Sequence, residues 1–556
     1  MAAAAAAGEF GCSRSPEPES SPGTGRQLLT EVTRAWGVPA DAAPWPDGTY
    51  RIPEITCAGV ALLDVEGDGD LDIYLVCHPP PGNTQAPAPN RLFVQEATGR
   101  FVEAPGARGL ADPGHGNGAA VGDLDSDGDI DVYVCNFERD ALYVGRGDGF
   151  FEAAPGNSGI VEDGWSTGAA FLDHDRDGDL DLYVAHYLVD DPSRVCRPTL
   201  SEPRDYCGPA RFQSQSDALY RNDGGKFTDV SSRSGLTPPR PSLAVACADL
   251  TGDGWIDVYV ANDRQPNSLL VNRRDGTFAD EGMARGVSLG GDGKSEASMG
   301  IALGDINGDE LLDVFVTNLV DETSTLYVTS GVGLFEDRTT RAGLGATTLA
   351  STSWGCGFVD IDHDGDLDLP VLNGRIARAE PDARTPTVGF WKPYVEANQL
   401  FLGGEGGRFQ DASALVAAFT SPADLDRAAA FGDLDGDGDV DFVTTGLSNR
   451  LRIFRNDAPV AGSHWLRVRT MVGRRDALGA TLTLTAGGRR QVRVVASSVG
   501  YAAASELVAH FGLGAASSVD GLQVAWPDGR REQFAVSRID ATIVVRQGEG
   551  SPTSPR

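Results

Sequence analysis

Asp123-Leu124-Asp125-Ser126-Asp127-Gly128-Asp129-Ile130-Asp131 runs without a break into Val132-Tyr133-Val134. Acidic oxygens fall at positions one, three, five and nine of this loop, and a glycine stands at six. Hard divalent cations take about six to eight oxygen ligands at roughly 2.3–2.6 Å, and a tight loop alternating aspartates with spacers turns every second carboxylate inward while position seven adds its carbonyl. The stretch therefore reads as a calcium loop. It lacks the Glu at position twelve of a helix-flanked EF-hand loop and continues into β-branched and aromatic residues, so it is expected to precede a strand.

The loop recurs seven times, at steps of 59, 50, 76, 56, 55 and 73 residues. The expected metal ligands are Asp64, Glu66, Asp68 and Asp72 in the first copy, then Asp123, Asp125, Asp127 and Asp131, then Asp173, Asp175, Asp177 and Asp181. They continue with Asp249, Thr251, Asp253 and Asp257, and with Asp305, Asn307, Asp309 and Asp313. The last two copies offer Asp360, Asp362, Asp364 and Asp368, and Asp433, Asp435, Asp437 and Asp441. The fourth and fifth copies are poorer, with Thr251 and Asn307 at position three and Glu310 in place of the fifth copy's glycine. A single Asp/Gly-rich stretch reads as readily as a solvated turn, but seven in register, each ahead of an apolar run, define a repeat. Five to seven Ca2+ ions are expected.

Repeats of this length over 556 residues point to radial or solenoid stacking, and four short strands per repeat fit a propeller blade better than a helical repeat. The net charge of −34 is mostly ligand, since the seven loops hold 32 of the 80 acidic residues; seven Ca2+ would bring it to about −20 and relieve self-repulsion. A basic nucleic-acid footprint is absent, and so is an apolar run long enough for a membrane span. Most of the eight cysteines sit in predicted strands as small buried hydrophobes. Cys196 and Cys207 lie instead in a polar, proline-containing insertion, residues 189–213, where a disulfide and hence an oxidising compartment are expected.

Residues 1–26 read as a disordered leader or tether. Six alanines without a cationic flank make no convincing export signal, although Gly11-Cys12-Ser13 ahead of a polar tether raises a lipid anchor at Cys12. Five of the repeats also carry a ten-residue unit that opens with Phe and closes with Gly and an aliphatic residue, in residues 101–110, 151–160, 227–236, 278–287 and 335–344. The seventh repeat lacks it, but residues 29–38 have the same length and the same Gly37-Val38 ending. The N-terminal segment is therefore expected to add the outermost strand of the last blade and close the ring, removing an exposed edge. Two insertions, residues 189–213 and 376–398, are expected on one rim, where loops carry function; Trp391 and Tyr394 in the second either grip a partner or pack the loop down.

Beyond Ser463 the acidic loops stop and alternating strands begin, as in Leu466 and Val468 with Arg467 and Arg469 between them. The reading is a propeller over residues 27–460, a small β-sandwich over 461–548 and a disordered tail over 549–556.

The segments from Trp165 to Tyr183 and from Trp354 to Leu369 resemble the FG-GAP/VCBS repeats of integrin-α-like propellers. Trp465-Leu466-Arg467-Val468, Leu478-Gly479-Ala480, Gly500-Tyr501, His510-Phe511-Gly512-Leu513-Gly514 and Trp526-Pro527-Asp528-Gly529 resemble the ASPIC/UnbV domain. The tandem is similar to bacterial relatives of cartilage acidic protein, with Arg474-Arg475-Asp476 departing from the usual turn. The resemblance implies an all-β, seven-bladed β-propeller with calcium-bound blades, extracytoplasmic residence (secreted, periplasmic or a cell-surface lipoprotein), and binding or adhesion.

The first functional reading is a non-enzymatic interaction protein with structural calcium that binds a protein or glycan on a propeller rim; for a lectin, the copies at Asp249 and Asp305 are the place for a ligand on an unsaturated ion. The alternative is an enzyme, a polysaccharide lyase or tailoring cyclase, using a rim or central cleft. Its candidates are His115 and the pair His186-Tyr187, beside predicted inner strands, as general base and acid. His174 and His363, inside two loops, are expected to be solvent-facing spacers, and His510 to pack or hydrogen-bond within the second domain.

Overall fold

The computed structural model describes residues 27–553 apart from 40–44, 84–87, 157, 162, 198–202, 237, 332, 382–384, 459 and 460. The readings of residues 1–26, including the anchor at Cys12, lie outside the described residues.

Each acidic loop joins the two inner strands of a sheet. In the first repeat Gly59–Leu63 enters the loop, Asp72–Val76 returns antiparallel, and Arg91–Glu96 and Arg100–Glu103 complete a meander. The same order is repeated from Gly116–Gly122, Ser166–Leu172, Ser242–Ala248, Ile301–Gly304, Ser353–Cys356 and Asp426–Gly432, so seven such sheets stand among the described residues. Inner strand packs on inner strand around the ring, and the seventh packs against the first. Sandwiched between neighbouring sheets, these strands are buried on both faces, which is why Ala119-Ala120-Val121 and Val132-Tyr133-Val134 are continuously apolar with no alternation.

Ring closure follows the expectation. Leu29–Glu31 pairs antiparallel with Arg450–Asn456, Leu29 opposite Asn456 and Glu31 opposite Phe454, as the outermost strand of the seventh sheet. The Phe-to-Gly units prove to be fasteners between sheets. Gly37, Gly109, Gly159, Gly235, Gly286 and Gly343 all have positive φ, and a Cβ on any of them would collide with the backbone carbonyl of Phe101, Phe151, Phe227, Phe278, Phe335 or Phe409 respectively, the opening residue of the next sheet's unit. Glycine is required both for the left-handed turn and for the close approach.

The second domain is a two-sheet sandwich. One sheet holds His464–Val472 with Val508–Gly514 and the parallel strand Ala541–Arg546; the other holds Thr481–Ala486, Arg489–Val494, Val519–Ala525 and Arg531–Phe534. Leu466, Val468, Leu482, Leu484, Phe511, Leu522, Val524 and Trp526 fill the space between them. The expected disordered tail over 549–556 is corrected for its first part, since Ser551–Pro552 pairs with Arg531–Phe534 and satisfies that strand's open hydrogen-bonding edge, while 554–556 lie outside the described residues.

The sandwich sits on the face that carries the acidic loops. Arg475 donates to the Gly178 carbonyl (2.6 Å), Arg489 to the Asp364 carbonyl (3.0 Å), and Arg467 pairs with Asp433 (2.7 Å). From there residues 495–507 descend into the ring. Ser497 Oγ accepts from Phe171 N (2.8 Å), Gly500 exchanges backbone hydrogen bonds with Ile301 (2.7 and 3.1 Å), Ala503–Ala504 adds a parallel strand to Gly59–Leu63, and Ser505 Oγ accepts from Phe431 N (3.1 Å). Tyr501 lies edge-on to Trp354 at 4.9 Å and its hydroxyl reaches the Thr56 carbonyl. Among the described residues, the axis where the enzyme reading expected a central cleft is thus occupied by a loop of the second domain. No helix among the described residues is long and apolar enough to cross a membrane.

Candidate metal centres

Each loop is folded on its own carboxylates. In the second, Asp123 Oδ2 accepts from Gly128 N (2.9 Å), Asp125 Oδ1 from Asp127 N (3.3 Å) and Asp127 Oδ1 from Asp129 N (2.9 Å). One oxygen of each is spent turning the chain, and the other is left over. The leftover Oδ1 of Asp123, Asp173 and Asp360 is buried without a hydrogen-bond partner, in side chains only 7%, 5% and 1% exposed, and Thr251 Oγ1 is likewise orphaned. Buried polar groups of native proteins are normally satisfied, so a recurring orphan at position one calls for a partner. Ligand atoms of Asp123, Asp125 and Asp127 lie within 4.8 Å of one another, as do those of Asp173, Asp175 and Asp177 and those of Asp360, Asp362 and Asp368.

Position nine has a role that the spacing does not reveal. Oδ2 of Asp72, Asp131, Asp181, Asp257, Asp313, Asp368 and Asp441 accepts from the backbone N–H at position two of its own loop. Oδ1 of the same residues accepts from a backbone N–H of the third strand, at Gln95, Gly145, Asn222, Asn272, Thr329, Gly403 and Asn456. This aspartate staples loop to sheet; in Asp181 and Asp257 the Oδ2 atom takes a second contact, from the His174 ring and from Thr251 N respectively. Burial pushes Asp123 up to about 6 and Asp131 and Asp173 up to about 7, with neighbouring carboxylates adding to the rise. A cation among them relieves both causes.

The copies are not equivalent. Arg108 pairs with Glu66 in the first (2.5 Å), Arg274 with Asp253 in the fourth (2.9 Å), and in the fifth Asn307 Nδ2 donates to Asp309 (3.0 Å). His174 and His363 are corrected: both are buried, 2% and 0% exposed, because the sandwich and adjoining sheets cover the loops. His174 pairs with Asp181; burial opposes its proton, but that carboxylate prevails and its pKa is raised. His363 lies 3.1 Å from Asp439, and its ring is tilted against that of His510 at 4.9 Å.

The catalytic candidates do not assemble. Tyr187 is buried against Trp165 (5.1 Å) and donates to Asp263 (2.6 Å), and burial lifts its hydroxyl well above the ordinary range. His115 stands elsewhere, beside Phe137 and the Pro53 carbonyl.

Both insertions lie on the rim opposite the acidic loops and dock on each other. Cys196 and Cys207 form a disulfide; Tyr394 donates to Asp205 (2.8 Å), Arg378 N to Asp205 (3.0 Å), and Tyr206 packs on Tyr394 at 5.7 Å. Trp391 and Tyr394, 6% and 0% exposed, pack their loop down and offer no gripping surface.

The FG-GAP-like repeat matches residues 64–134, 123–184, 210–260, 249–316 and 305–371, and ASPIC and UnbV matches 472–552. Cartilage acidic protein 1 of Xenopus tropicalis is 27% identical over 318 residues, 55% of this chain and 44% of that protein; the Homo sapiens protein is 27% identical over 313 residues, 54% and 43%. The chain therefore spans under half the length of these relatives. Among solved structures, an Agrocybe aegerita lectin described for recognition of non-reducing terminal N-acetylglucosamine aligns with TM-score 0.41 and 14% identity over 72% of this chain and 92% of its own. The BP39L lectin from Burkholderia pseudomallei gives 0.41 and 12% over 73% and 97%. With repeat matches across just over half of its length, the chain belongs to the FG-GAP-repeat family and carries an ASPIC/UnbV domain behind the repeats.

Proposed function

We propose that this protein is an extracytoplasmic interaction module whose propeller is held by structural calcium. The observation that carries the calcium reading is the orphaned position-one oxygen of Asp123, Asp173 and Asp360, each converging with the position-three side chain and, in Asp123 and Asp173, with position five. Those three positions and the position-seven carbonyl would hold the ion; a hard cation supplies charge neutralisation and no reaction. The disulfide in the rim insertion supports an oxidising compartment. The docked insertions form a fixed surface on a rigid scaffold, suited to a protein or glycan partner.

Metal analysis after dialysis against calcium should return five to seven equivalents per chain, and a chelator should lower the melting temperature by tens of degrees, since an ion bound only to the folded state at ~1,000 times its dissociation constant adds about 4 kcal/mol per site. Two or fewer equivalents, or an unchanged melt, would end the calcium reading. A glycan array probed with and without calcium tests the interaction reading: binding that disappears only when the protein unfolds assigns the ion a structural role.

A further inference from the structure

Cys57, His78 and His115 are far apart in the chain, yet the ring delivers them to one point. Cys57 stands just ahead of the inner strand Gly59–Leu63, His78 just beyond the returning strand Asp72–Val76, and His115 immediately ahead of the next inner strand, Gly116–Gly122. All three therefore lie at the strand ends opposite the acidic loops. Their ligand atoms, Sγ and one ring nitrogen from each imidazole, fall within 4.8 Å of one another. The side chains are 0%, 0% and 7% exposed.

The histidines are not satisfied as packing residues. Both ring nitrogens of His78 and Nδ1 of His115 are buried without a hydrogen-bond partner, at a cost of about 1–3 kcal/mol for each such group. Their neighbours are rings: Trp45 lies edge-on to His78 at 4.7 Å, Phe137 lies 5.5 Å from His115, and the two imidazoles are near-parallel at 5.9 Å. The Pro53 carbonyl lies 3.1 Å from Cys57 Sγ and 3.3 Å from His115 Nε2. The backbone is fixed around them. Asn449 accepts from His78 N and donates to its carbonyl, both at 3.0 Å, and Ala58, next to Cys57, is held at φ 105°, where an alanine is strained.

We propose that Cys57, His78 and His115 bind a single copper ion, with the Pro53 carbonyl as its weak fourth neighbour. One thiolate and two imidazoles with a distant backbone oxygen is a soft, three-coordinate donor set that suits copper, whereas zinc seeks a fourth strong ligand. Charge favours the same ion. Cu(I) with one thiolate is neutral, while a divalent ion would leave a positive site in a dry pocket near the buried Arg427, whose charge already acts on Cys57 and His78. Binding then replaces the Cys57 S–H bond by a Cu–S bond and releases one proton to solvent, with no electron transferred.

The test uses the full chain saturated with calcium, under anaerobic conditions, titrated with Cu(I) against a competing chelator, because the hard acidic loops do not retain Cu(I). One copper per chain is expected, with affinity reduced in Cys57→Ser and His78→Gln by more than the ~10–100-fold typical of losing an outer-sphere partner. Unchanged affinity in Cys57→Ser overturns the proposal. X-ray absorption of the copper-loaded unmodified protein, which no folding defect can confuse, should show one sulfur and two nitrogen neighbours; two or more sulfurs, or none, overturns it, as does zinc displacing the copper at equal concentration. The site shares no residue with the acidic loops, so its failure leaves the calcium reading untouched.

Discussion

Asp131 ties two strands and a loop together through a single carboxylate, which separates its structural role from that of the other acidic residues of its loop. Asp131→Ala leaves the Leu124 N–H buried and unpaired and the half-buried Gly145 N–H without its partner, a loss of about 1–3 kcal/mol for the buried group that persists in chelator and is readable from the urea midpoint. Asp127→Asn, at an exposed position five, should weaken calcium dependence yet change chelated stability by less than about 0.5 kcal/mol. Asp263 offers a titration outside the loops. Burial raises its pKa to about 6, partly offset by the Tyr187 hydroxyl, while the unfolded carboxyl titrates near about 4. Its stabilising contribution is therefore complete below about pH 4 and lost as pH rises through about 6. The wild type should lose stability relative to Asp263→Asn between about pH 4.5 and about pH 8 in urea titrations at fixed calcium; a constant difference would refute the assignment. At this scale the carboxylates that converge in the loops were legible because a nine-residue motif names them. The staple was not, since its partners Gly145 or Asn456 lie in a different strand, and neither was the cluster at Cys57, whose members share no local spacing.

Among elements, the N-terminal strand was readable because residues 29–38 repeat the length and the Gly-aliphatic ending of the inter-sheet units. The structure supplies the reason for that ending in the contact of Gly37 with the Phe101 carbonyl. Leu29 is 1% exposed, so Leu29→Ala should cost about 2–4 kcal/mol. Deleting residues 27–38 should do more, because it leaves Arg450–Asn456 as an open edge; light scattering should then report self-association. A monomeric, fully stable deletion protein would mean that the ring does not depend on this strand. The fate of Trp391 and Tyr394 was undecidable from sequence, because whether an insertion packs or projects depends on what faces it, and here that is the other insertion and the segment around Trp45.

In the whole molecule, the expected pair of domains is joined more deeply than a linear boundary suggests. Residues 495–507 lie in the second domain by sequence and on the propeller axis in space. The stretch Ser497-Ser498-Val499-Gly500-Tyr501 carries no periodicity that could place it there; only a closed ring creates the cavity that it fills. Tyr501→Ala should open a void worth about 3–5 kcal/mol, and calorimetry should show propeller and sandwich melting in one transition. Two well-separated transitions would show that the loop does not couple them.

That threaded loop also bears on biosynthesis. It is translated after all seven sheets, so a nascent propeller leaves the ribosome as a wheel without its axle, and the strand that shuts the wheel must wait for a partner more than 400 residues downstream. Such long-range closure is slow. Until that segment emerges, the apolar inner strands line an open bore, the kind of exposed apolar surface that favours self-association of a partly folded chain.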